Sequence, residues 1–116
     1  MRSFTAVLIC LLLPPGVSAD DYEQLVLSWN APKHFTNGER LSVSKGDLKE
    51  YRVYYGNSRE NIRQHRFSVP AGLSSIRLHR LKKEFLRANP VIYIALSSVS
   101  RAEVESTLSE IVFFLP

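Results

Sequence analysis

Cysteine is almost missing from this chain of 116 residues, and the single one, Cys10, sits in an apolar run near the N-terminus. A disulfide-stapled fold or a cysteine-built metal site needs more thiols than that. Aspartate is scarce as well, with only Asp20, Asp21 and Asp47. The chain has no Gly-rich phosphate loop, no nucleophile elbow and no two histidines at metal-ligand spacing. His34, His65 and His79 lie far apart and read as loop or surface residues. The sequence therefore points to no catalytic residues, no metal site and no cofactor, and away from an enzyme. Charge is nearly balanced, 15 Lys and Arg against 11 Asp and Glu, for a net of +4. That excess is too small to mark nucleic-acid binding without a clustered face. Also lacking is an apolar run of about 20 residues, the length that a membrane-spanning helix needs.

What is present begins with the features of a secretory leader. Arg2 makes the start of the chain positive, Phe4 to Leu13 is apolar, and Pro14-Pro15-Gly16 breaks any helix. Val17-Ser18-Ala19 then offers small residues before a cut. A lipoprotein signal would need a small residue before Cys10, where Ile9 stands. Residues 1–19 are thus read as a signal peptide and residues 20–116 as one secreted or periplasmic domain. The cut removes Arg2 and Cys10, leaving 14 basic against 11 acidic residues, a net of +3, and no thiol. Such a domain is held by its core alone.

The rest of the chain alternates. Leu25, Leu27 and Trp29 share one face of a strand that ends at Asn30-Ala31-Pro32. Asn37-Gly38 and Lys45-Gly46-Asp47 are turn signals. Leu48 to Tyr55 is a second strand, with Tyr51, Val53 and Tyr55 on one face, turned by Gly56-Asn57-Ser58. Arg66 to Val69 and Ser74 to Leu78 read as short strands, the first with Phe67 and Val69 together, the second with Ile76 and Leu78 together. Between Arg80 and Ala88 the period lengthens, Leu81 and Phe85 standing four apart, which suits a helical turn or two. Val91 to Val99 is the most apolar stretch after the leader and reads as a central strand, and Leu108 to Leu115 as the last one. Short strands with frequent turn signals favour an antiparallel sandwich.

Three motifs in order resemble the fibronectin type III family. Leu25-Val26-Leu27-Ser28-Trp29-Asn30-Ala31-Pro32 looks like its second strand. Asp47-Leu48-Lys49-Glu50-Tyr51-Arg52-Val53-Tyr54-Tyr55-Gly56 looks like the third strand, and Glu105-Ser106-Thr107-Leu108-Ser109 like the lead into the last. The resemblance covers about residues 23 to 116. It implies an all-β, immunoglobulin-like antiparallel sandwich with Trp29 in the core, faced by Tyr51, Val53, Ile92, Ile94 and Leu96. Serines in the last motif are expected to bond turn backbone. Two departures stand out. Ile92 takes the place of the family's corner tyrosine, so that Tyr93 points outward, and the residues ahead of Trp29 leave only a truncated first strand. Arg101-Ala102-Glu103 falls where some members carry Arg-Gly-Asp, but Ala and Glu break that motif.

Two surfaces are candidates for binding. Arg77, Arg80, Lys82, Lys83 and Arg87 cluster in sequence as a patch for an anionic ligand, with the solvated loop as the plainer reading. Leu25, Val26, Leu27 and Ser28 form a strand that would be a sheet edge if the first strand is short, open to a partner or a second copy. The function expected is an exported, non-catalytic interaction or structural module that binds another protein. The alternative is a module holding carbohydrate, such as an anionic polysaccharide, or another anionic polymer. Nucleic acid is not an expected partner, and a homodimer through the edge strand is a further option.

Overall fold

The computed structural model describes residues 8–12, 26–30 and 46–116. In chain order these form β1 (Leu8–Leu12), β2 (Val26–Asn30), β3 (Leu48–Gly56), β4 (His65–Pro70) and β5 (Ser75–Arg77). A 3-10 turn at Leu78–Arg80 follows, then α1 (Lys83–Ala88), β6 (Ile92–Ser100) and β7 (Val112–Phe114). All strand pairings are antiparallel. One sheet has the order β1-β2-β5 and the other β4-β3-β6-β7.

The core lies between the sheets and is built by alternation. Leu27 and Trp29 of β2 and Ile76 of β5 face Tyr51, Val53 and Tyr55 of β3 and Ile92, Ile94 and Leu96 of β6. Trp29 meets Tyr51 edge to face, with centroids 5.2 Å apart and planes at 66°. Such pairs add to the burial of the rings themselves. Burial raises the Tyr51 phenol above its usual pKa, and the neighbouring Trp29 indole offsets part of that. The helical turn closes one end of the core with Leu81 and Leu86, both buried.

A second, smaller core covers the outer face of β3 and β6. Tyr54 and Ala95 are buried there with Ile62, against Tyr93, Leu108 and Ile111. Both sides of the β3–β6 pair are thus covered, and one-face alternation holds for β2 and β4 instead. Gly56 makes this possible. A Cβ at that position would lie 1.9 Å from the Asn61 carbonyl oxygen, so the turn after β3 folds back only over a glycine.

Several strands differ in extent from the sequence reading. The last strand is short, Val112–Phe114 instead of Leu108 to Leu115, because Ser106 and Ser109 dock the preceding stretch by another device. The strand at Ser74 to Leu78 shrinks to Ser75–Arg77, and Leu78 begins the 3-10 turn. At the other end, Leu8–Leu12 fall within the segment read as a leader, and here they form the first strand, paired with β2 from Leu8↔Asn30 to Leu12↔Val26. In the full chain β2 therefore has a neighbour on each side. Leu25, and the cut after Ala19, lie outside the described residues.

Candidate interaction surfaces

The outer face of β6 and β7 carries the most exposed apolar side chains of the second sheet. On β7 the pleat turns Phe114 into the core and Phe113 outward. Phe113 sits opposite Tyr93 of β6, their rings 5.9 Å apart and inclined at 44°. The Arg59 guanidinium, from the turn after β3, lies 5.6 Å from the Tyr93 centroid. Phe113 keeps 55% of its surface in solvent, and Leu115, two residues on, keeps 63%. The outward Tyr93 was legible in the sequence. Its pairing with Phe113 was not, because the short β7 sets that register.

Beside this strip, a polar cluster fastens residues 104–111 to the sheet. The Glu105 carboxylate accepts hydrogen bonds from Arg52 Nη1 at 2.8 Å, the Tyr54 hydroxyl at 2.6 Å and the Ser97 hydroxyl at 2.6 Å. Arg63 stands 3.7 Å from it and stacks over the Tyr54 ring at 4.6 Å. Burial alone would raise the Glu105 pKa, yet these bonds and the Arg52 charge hold it below the usual value. A carboxylate so fully bonded is a fastener and not a free base. Glu50 is likewise lowered, its partial burial outweighed by Ser68 and Arg52.

The serines of the last motif do more than the turn bonding expected of them. The Ser98 amide donates to Ser106 Oγ at 2.9 Å, and the Ser106 amide donates to the Ser98 carbonyl at 2.8 Å. Leu96 and Ser109 repeat the exchange at 2.9 and 2.7 Å. The two hydroxyls replace strand groups in the ladder along β6. Glu103, which has a left-handed backbone (φ 64°), forms an ion pair with Lys49, so the Arg101-Ala102-Glu103 turn is tied to β3.

The residues of the basic run have several different neighbours. Arg80 lays its guanidinium 4.6 Å from the Phe67 ring and donates to the Ser68 carbonyl at 3.3 Å, which commits it to β4. Lys82 lies toward His65, whose pKa is lowered by burial and then by that charge. His65 is stacked on Tyr55 at 5.1 Å and meets Phe85 edge-on at 4.4 Å. Lys83 and Arg87, one helical turn apart, border an open cleft of about 670 Å³ with Leu86, Pro90 and Pro116. Arg77 is exposed on β5. Among the described residues no three His, Cys, Asp or Glu side chains gather to hold a metal ion. No described helix is long and apolar enough to cross a membrane.

No protein-family model matches the chain, and no curated protein matches it.

Proposed function

We propose that the chain is an exported, non-catalytic module of the fibronectin type III kind that binds another protein through the outer face of β6 and β7. The family reading is supported by strand pairing. The resemblance implies a Trp-bearing strand paired with a later partner, and β2, which carries Trp29, pairs with β5. It is supported further by where the motifs fall: on β2, on β3, and on the serine-docked stretch beside β6.

Protein binding rests on the exposed Phe113, paired with the half-buried Tyr93 on which Arg59 packs. Aromatic residues and arginine are the side chains that dominate protein interfaces when desolvated. Large apolar groups grouped on a surface are costly to leave wet and mark contact sites. The test is capture of partners from the envelope or medium of an exporting cell by the tagged protein. Phe113→Glu should lose the bound protein. Leu73→Glu places the same charge on an exposed apolar residue elsewhere and should retain it. Equal capture by both variants would count against the proposal.

A further inference from the structure

Leu8–Leu12 have two identities. By composition they are the apolar heart of a cleavable leader. In the structure they are β1, paired along the whole of β2. A cut after Ala19 carries β1 away with the leader.

The edge left behind is well defined. In a strand, the N–H and C=O of one residue point to one side and those of the next residue to the other. The Trp29 amide donates to the Ser74 carbonyl at 3.0 Å, on the β5 side, and Leu27 shares that side. Val26, Ser28 and Asn30 therefore turn their backbone groups toward β1, opposite Leu12, Cys10 and Leu8. Other strands offer less. Arg80 covers the Ser68 carbonyl of β4, and β5 and β7 have three residues each.

We infer that residues 1–19 carry a removable strand, and that the processed protein takes up in its place an uncharged, apolar extended segment of a partner protein, antiparallel along Val26–Asn30. The chemistry of this occupant follows from what the structure seats there, the five residues LICLL in a fixed register. Backbone bonds supply the affinity in such strand addition, and the side chains supply the selectivity. The inference rests on the export reading but not on the Tyr93–Phe113 surface.

The test uses protein recovered from outside the cytoplasm of an exporting host, its N-terminus fixed by intact mass. The probe is a peptide of Ala6 to Leu12 with serine in place of Cys10 and lysines at both ends. Saturable binding is expected, with slowed deuterium uptake at the Val26, Ser28 and Asn30 amides. A backbone N-methyl group at the Leu11 position of the peptide should leave affinity nearly unchanged. The same group at the Cys10 position should weaken it roughly tenfold or more, since it removes a ladder bond. Full chain made without export should bind no peptide. Val26→Pro should abolish binding while Trp29 emission stays that of folded protein, and the N-methyl pair decides the matter should that variant unfold. Recovered protein that retains residues 8–12 would overturn both this inference and the export reading. Correctly cut protein overturns the inference alone if it ignores the peptide, responds equally to both methyl groups, or forms a dimer through β2 that the peptide cannot displace.

Discussion

Glu105 shows what one side chain can decide. It joins β3, β6 and the stretch leading to β7 through Arg52, Tyr54 and Ser97. Glu105→Gln should cost about 1–3 kcal/mol in urea unfolding, since it weakens charged hydrogen bonds in a half-buried site. Acid should act through the same groups. Glu105 and Glu50 are held below their ordinary value of 4.5, and His65 below 6.5. A group with a lowered folded pKa stabilises the fold above its ordinary value, and that contribution is lost as pH falls through the folded value. The thermal midpoint should therefore decline from just below pH 6.5 as His65 charges, and faster below 4.5 as the two carboxylates do. Glu105→Gln should flatten the lower part of that decline. A midpoint that rises on acidification through this window would refute the assignment. The sequence marked Glu105 only as part of a motif. Two of its partners, Arg52 and Tyr54, are remote in the chain, and no local pattern encodes them.

Among the elements, β3 and β6 were the plainest in the sequence: Tyr51, Val53 and Tyr55 mark one face of the first, and the second is the most apolar stretch after the leader. Their outer faces were not plain. Tyr54 and Ala95 are buried by Ile62, Leu108 and Ile111, and such cover depends on contacts remote in sequence. Leu86 escaped notice for a related reason: α1 has six residues, too few for its period to declare which face is apolar. The serines were recognised as backbone-bonding, but their true acceptors and donors lie on β6. Gly56 reads as an ordinary turn residue, whereas the structure gives it a steric duty. Gly56→Ala should cost roughly 2–3 kcal/mol, read as a lower denaturant midpoint, because the Asn61 backbone would have to retreat. An alanine variant as stable as the parent would show that the turn is free to move.

At the scale of the molecule, the candidate surfaces divided unevenly between what the sequence could and could not reveal. The run of basic residues was visible, but not their neighbours: Arg80 lies over Phe67, and Lys83 and Arg87 border a cleft with Leu86, Pro90 and Pro116. Sequence proximity carries no information about direction where a 3-10 turn and a short helix intervene. The β2 edge was legible as a question, because few residues precede Trp29 once a leader is removed. The β1 pairing supplies its register.

The blunted edges of the second sheet have a consequence for assembly size. On β4 the Arg80 guanidinium occupies the Ser68 carbonyl, and β7 is three residues long. Continuous growth of sheet from molecule to molecule needs two receptive edges on each unit. Among the described residues the one long, uncovered edge is the side of β2 that β1 fills. Any strand-mediated association should then stop at a fixed stoichiometry instead of extending into fibres. Light scattering of concentrated processed protein should level off at a small particle mass. Arg80→Ala, which uncovers β4, is the change expected to let that mass climb with concentration.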